Sequence, residues 1–181
     1  MQNEYDSMIV GRIKGGDRQA FDMLFDIYQK RVYNIALGLC KNEHDAMDVA
    51  QEAFLRIYKS IKTFREDSSL STWIYRITVN AAYDFLRAQS KRSEVPIEMA
   101  QNVKAATTPE AVYEKMEKRQ VVRAAIEKLN EEHKAVIILR DINGLSYSEI
   151  AQALSIEEGT VKSRLFRARA MLRKILDGTL E

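Results

Sequence analysis

A chain of 181 residues suits one ordinary domain or two small ones, and a content of 46% hydrophobic and 30% charged residues argues against disorder. No apolar run nears the roughly 20 residues that span a bilayer, and the N-terminal "MQNEYDSMIV" lacks the basic start and apolar core of a signal peptide. Cys40 has no partner for an internal disulfide, and with His44 and His133 it makes a poor metal cage, so a cytoplasmic protein without metal or cofactor is expected.

Helical periodicity dominates and no stretch alternates as a strand, so the fold class predicted is all-α. The first half predicts helices near 4–14, 17–40, 43–62 and 69–90. Asp17 after "GG" and Asn42 before "EHD" are placed as N-caps. In "DAMDVAQEAFLRIYKSIKTF" (45–64), Ala50, Phe54, Ile57, Tyr58 and Ile61 are expected to form the buried face. Asp48, Gln51, Glu52 and Arg56 fall on the other side, which composition alone reads as ordinary solvated surface.

The next helix lies in "REDSSLSTWIYRITVNAAYDFLRAQSKR" (65–92), where Leu70, Ile74, Ile77, Ala81 and Phe85 make a core stripe. Thr72, Arg76, Asn80, Tyr83 and Arg87 line up at intervals of four, four, three and four, with Trp73 and Asp84 beside them and Lys91 and Arg92 beyond. Guanidinium, amide and aromatic groups mixed in one stripe suit unstacked bases, which offer stacking faces, exposed edges and phosphates. Trp73 and Tyr83 fit equally well as core aromatics, since aromatics at helical spacing are usually buried.

Pro96 and Pro109 lie in "SEVPIEMAQNVKAATTPE" (93–110), whose weak periodicity and small polar residues predict a flexible linker. Thr108 then caps a new helix with Pro109 in its first turn. The expected organisation is two small helical domains, 1–92 and 109–181, joined by a linker over 93–108. The second is a four-helix domain with helices near 109–129, 131–142, 146–154 and 156–177.

Within "GLSYSEIAQALSIEEGTVKSRLFRARAML" (144–172), Ser146 with Glu149 and Ser155 with Glu158 are two S-x-x-E patterns, each expected to be a capping box. Gly144 can take the left-handed conformation that ends the preceding helix. A short helix, a tight turn and a second helix result, with Ile150, Leu154, Ile156, Val161 and Leu165 filling the corner. This is the spacing of a helix-turn-helix. On the last helix Val161, Leu165, Ala168 and Leu172 share one arc at about 100° per residue. Ser163, Phe166 and Arg167 lie opposite, with Lys162 and Lys174 on the flanks. Six bases against two acids leave residues 156–174 of this helix at +4. A phenylalanine among basic and hydroxyl groups makes sense against a thymine methyl or sugar, with Arg167 and Lys162 reaching base edges or phosphate.

Four stretches together resemble an extracytoplasmic-function (ECF) sigma factor, the compact class of the bacterial sigma-70 transcription initiation factors. They are "GDRQAFDMLFDIYQKRVYNIA" (16–36), "DAMDVAQEAFLRIYKSI", "TFREDSSLSTWIYRITVNAAYDFLR" and "LRDINGLSYSEIAQALSIEEGTVKSRLFRARAMLR" (139–173). The resemblance implies a non-enzymatic, promoter-selecting subunit of RNA polymerase. It implies docking on core RNA polymerase through Asp48, Gln51 and Glu52. It further implies melting and single-stranded recognition of the −10 element by Ser69, Thr72, Trp73, Arg76, Asn80, Tyr83, Asp84 and Arg87. Trp73 and Arg76 would assist melting, Asn80 would line a pocket for an extruded base under the loop around Ser68–Ser71, and Lys91 and Arg92 would anchor phosphates. Recognition of the double-stranded −35 element falls to Thr160, Lys162, Ser163, Phe166 and Arg167. The linker is implied to run toward the RNA exit path, and regulation is implied to come from an anti-sigma factor, which could hold the protein at the membrane. Ser155 departs from the broader helix-turn-helix pattern by standing at a turn position often taken by glycine.

Two rival readings fit less well. A response regulator would need an alternating β/α receiver, which the all-helical first half lacks. A helical metal-dependent hydrolase using His44, Asp45, Asp48 and Glu52 would need a second helix of matching ligands.

Overall fold

The computed structural model describes residues 2–40, 42–92 and 120–178, with the side chains of Gln2, Asn3 and Arg92 outside that description. Thr108, Pro109 and the expected linker also lie outside the described residues. All regular structure among the described residues is helical. Helices α1 (Gln2–Lys14), α2 (Arg18–Leu39), α3 (Glu43–Ser60) and α4 (Leu70–Arg92) build the first half. A 3₁₀ turn at Ile61–Thr63 ends α3. Segment 120–127 (α5), α6 (Glu131–Ile137), α7 (Tyr147–Leu154) and α8 (Glu158–Asp177) build the second.

The helix starts follow local chemistry. Asp17 accepts from the backbone N–H of Gln19 and Ala20, and Asn42 accepts from that of Asp45, so both expected N-caps form. Ser146 and Glu149 close a complete capping box at α7. The second expected box does not form. Ser155 adopts φ 55°, ψ 47° and ends α7, while Glu157 precedes α8 without a side-chain cap. An N-cap needs extended backbone, and a left-handed residue cannot supply it. The glycine-like turn position is therefore real, and a serine holds it.

Helix α6 runs directly into a π turn at Ile138–Ile142, closed by Gly144 at φ 73° as the sequence leads one to expect. Asn143 Nδ2 donates to the Ile138 carbonyl at 2.8 Å, beside that oxygen's bond from the Asn143 backbone N–H, and Arg140 Nη1 donates to the Leu145 carbonyl at 2.7 Å, tying the turn to the chain that leaves it.

Leu24, Val32, Ile35, Ile57, Ile74 and Val79 pack where α2, α3 and α4 meet. Val161, Leu165 and Ala168 of α8 are buried as the wheel predicts, against α6 and α7. Tyr58 is a correction. It was expected inside with Phe54 and Ile57 but is 53% exposed, its ring edge-on to Phe21 at 4.9 Å.

The two halves are in contact. α4 packs along α7, and the C-terminal end of α2 packs on α6 and its π turn, so one continuous hydrophobic core crosses the boundary.

Candidate nucleic-acid interface

Three exposed surfaces collect the residues singled out by the sequence. On α4, Arg76, Asn80, Asp84, Arg87 and Lys91 are exposed along one ridge and Tyr83 is half-buried. Burial raises the Tyr83 phenol to about 12, with the charge of Glu131 adding to the effect. Asp84 is held by Arg56, whose Nη1 lies 2.7 Å from its carboxylate, while Arg56 Nε donates to Glu52 at 2.7 Å. Arg56 thus links the ridge to α3, a connection that sequence spacing did not reveal.

The N-terminal turn of this ridge is inside the fold. Thr72 is 2% exposed, and its hydroxyl meets Ser69 Oγ at 2.7 Å while its N–H donates to the same oxygen at 3.2 Å. Ser69 and Thr72 therefore finish the start of α4, so the expected open ridge begins at Arg76. Trp73 is 8% exposed and tilts against Phe64 with ring centroids 5.1 Å apart. Its edge still lines a cleft of about 600 Å³, with Arg65, Ser68 and Arg76 on one side and Gln152 and Ser155 of the helix-turn-helix on the other. Ahead of Trp73, the loop after Phe64 is fixed by Lys14 Nζ donating to the Phe64 carbonyl at 2.7 Å and by Ser7 Oγ donating to Glu66 at 3.1 Å.

The second surface is on α8. Lys162, Ser163 and Arg167 are exposed, and Phe166 is 78% exposed at the centre of the face. Thr160 is half-buried, and its carbonyl accepts from Ser163 Oγ at 3.0 Å. Two of the six bases counted on this helix are engaged within the domain. Arg164 meets Glu132 at 3.0 Å, and Arg169 grips Asp141 through Nη2 and Nε at 2.6 and 3.1 Å. These pairs orient the helix and leave the positive face centred on Lys162 and Arg167.

The third surface is on α3, where Asp48, Gln51 and Glu52 are exposed as expected. His44 Nδ1 lies 3.4 Å from Asp48. Asp45 points away from this surface, accepting from Asn42 and Gln89, so the acids of this helix do not converge as metal ligands would. Sequence reading missed the apolar half of the surface. Gln51 edges a groove of about 720 Å³ between α2 and α3, in which Phe25, Met47, Leu55 and Tyr58 show large exposed areas. Contiguous apolar surface of this kind marks protein contacts. The signal available in the sequence was Leu55 and Met47, which fall off the core stripe of α3.

Comparison with known proteins follows this geometry. Residues 24–92 match the family model described as Sigma-70 region 2, and residues 119–172 match Sigma-70, region 4. The chain is 39% identical to the ECF RNA polymerase sigma-E factor of Haemophilus influenzae, across 92% of this chain and 93% of that protein. Its fold resembles CnrH in a complex with the cytosolic domain of CnrY, with TM-score 0.73 and 24% identity over 96% and 98% of the two chains. It also resembles the sigma factor RpoE in complex with the anti-sigma factor NepR from Bartonella quintana, with TM-score 0.70 and 24% identity over 87% and 96%.

Proposed function

The chain belongs to the ECF class of the sigma-70 family and is a transcription initiation factor, not an enzyme; we propose that its three exposed surfaces divide the work of promoter recognition among them. The observation that carries this reading is the presence in one chain of two separate basic faces of different character. The α4 ridge mixes Arg76, Asn80, Tyr83 and Arg87, and the α8 face sets Phe166 between Lys162 and Arg167.

In this reading 1–92 forms the domain that binds core polymerase and the −10 element, 93–108 the connection, and 109–181 the −35 domain. Asn80 receives a base extruded from the −10 element, and the loop around Ser68–Ser71 closes over it. Extrusion costs a few kcal/mol, so a pocket that rewards one base turns melting into sequence choice. Trp73 and Arg76 stand at the upstream end, where the duplex parts, with Ser69 and Thr72 setting the turn beneath them. Tyr83 and Arg87 support the strand, Asp84 limits which bases approach, and Lys91 and Arg92 hold phosphates, which makes binding salt-sensitive. In the −35 major groove, Lys162, Ser163 and Arg167 reach base edges or phosphate, Phe166 packs on a methyl or sugar, and Thr160 fixes the entry of the helix.

Core polymerase docks on Asp48, Gln51 and Glu52, and the apolar groove beside Gln51 adds the desolvated area that a stable contact needs. Among the described residues no helix is long and apolar enough to cross a membrane. We place the protein in the cytoplasm with polymerase, governed by an anti-sigma factor. Run-off transcription with purified core polymerase tests the whole reading. The protein should make core enzyme start at defined sites on a pooled promoter library, and uniform or absent initiation across that pool would overturn it.

A further inference from the structure

The loop between the 3₁₀ turn and α4, residues 64–69, leads into the segment that the promoter reading sets over an extruded base. Within it Glu66 stands at φ 60°, a left-handed conformation that L side chains rarely adopt and keep only where the surroundings hold it. The two ends of the loop are fixed locally: Phe64 is buried on Trp73, and Ser69 Oγ accepts from the Thr72 N–H. Between those ends the loop has no packed floor. A hollow of about 280 Å³ separates it from α1, lined by Asp6 and Ser7 on one side and by Phe64, Glu66 and Ser68 on the other.

Two side chains of α1 reach the loop from below. Ser7 Oγ donates to the Glu66 carboxylate at 3.1 Å, and Lys14 Nζ donates to the Phe64 carbonyl at 2.7 Å. Two helical turns separate these residues, so both project from one face, about 10 Å apart along the axis. Helix α1 is itself fixed by Ile9, Val10 and Ile13, which are buried where it packs on α2 and the 3₁₀ turn. Ser7 and Lys14 are exposed, so neither fills the core, and what each contributes is its bond to the loop. We infer that Ser7 and Lys14 are positioning residues for base selection at the −10 element, holding the 64–69 loop through Glu66 and the Phe64 carbonyl in the shape that closes on an extruded base. The inference rests on the promoter reading above, and neither residue touches DNA in it. A loop already held loses little further entropy when it closes. A base that fits is enclosed by the loop, whereas one that does not fit leaves the loop open. The ordering cost that these bonds remove therefore falls on the preferred base alone. Losing them lowers the difference between bases more than it lowers binding as a whole.

The test combines the full-length protein with core polymerase on a promoter library randomised across the −10 and −35 elements, with transcripts counted by sequencing. In the double variant S7A/K14M the preference for the favoured −10 base should fall several-fold, while −35 preference and affinity for core polymerase stay at the wild-type level. Ser7→Thr restores the hydroxyl and should regain the −10 preference lost in Ser7→Ala. Adding Glu66→Ala to Ser7→Ala should lower that preference no further, because both changes cut the same bond. In the free protein, backbone order parameters at Glu66 and Asp67 should drop from the rigid range, near about 0.85, to below about 0.6 in S7A/K14M. Unchanged order parameters overturn the tether. A looser loop with undiminished −10 preference overturns its part in base selection. Equal losses at both elements overturn it as well, since α1 would then support the fold in general. If the wild type selects no base at −10, the promoter reading fails and the inference about base choice falls with it, while the order parameters still decide whether α1 holds the loop.

Discussion

Arg56 on α3 donates from Nη1 to the Asp84 carboxylate on α4 at 2.7 Å. On the function proposed above, a bare carboxylate on the α4 ridge would repel strand phosphates, and this guanidinium neutralises it. We expect Arg56→Ala to weaken single-strand binding several-fold, and adding Asp84→Asn to recover most of the loss. The pair is exposed, so each change should move stability by no more than about 1 kcal/mol. Fluorescence anisotropy with a labelled oligonucleotide and a thermal melt on each variant separate the two effects. A loss that persists in the double variant means that Arg56 touches DNA itself.

Asn80 and Arg167 lie on different domains, so their effects should separate. Asn80→Ala should flatten base preference at the −10 element while leaving core polymerase affinity nearly unchanged. Arg167→Ala should lower −35 discrimination by about 1–3 kcal/mol for a good base contact. Competition among promoter variants in run-off transcription, alongside a pull-down of core enzyme, reads both. Parallel loss of core binding in Asn80→Ala would move that residue to the wrong surface.

Ser155 holds a left-handed turn at φ 55° that L side chains rarely adopt. Relief of that strain outweighs the added freedom of glycine in the unfolded chain. Ser155→Gly should therefore raise stability by about 0.5–1 kcal/mol in urea unfolding, with −35 binding retained. A serine acting as an N-cap would give the opposite sign, a loss on substitution, so the direction of the midpoint shift distinguishes the two geometries.

Features written in a few neighbouring residues were legible in the sequence. Asp17, Asn42 and the Ser146–Glu149 box each declare a helix start through atoms within one turn, and the Val161–Leu165–Ala168 stripe declares which side of α8 is inside. The S-x-x-E pattern at Ser155 misled because the end of α7 claims that serine before α8 begins. Thr72 and Tyr58 changed sides, and Trp73 was left open, because a helical wheel gives angles, while burial depends on which neighbouring helix crosses there. The wheel could not foresee that Phe64 returns from the loop to cover Trp73. Long-range relationships were beyond its reach altogether. Nothing near Ser7 announces Glu66, 59 residues away in the chain, and nothing near Arg56 announces Asp84, 28 residues on.

Cys40 ends α2 at the boundary between the two halves, 1% exposed. Burial, and then the charge of Asp45, push its thiol up to about 11, with Lys134 of the second half acting in the opposite direction. A thiol whose pKa is raised on folding favours the native state fully below its unfolded value, near 8.5–9, and that contribution fades as pH climbs to the folded value. Stability should therefore hold through pH 8 and fall between about pH 9 and 11, with up to about 2 kcal/mol of the loss belonging to this one group. Tyrosines also titrate in this range, and burial raises Tyr28 and Tyr83 as well. The difference between wild type and Cys40→Ala isolates the thiol. Urea midpoints measured at pH 8, 9, 10 and 11 should converge as pH rises, because the variant has no thiolate to release. Parallel curves would mean that the Cys40 thiol ionises as readily in the folded chain as in the unfolded one, and that the end of α2 is open to water.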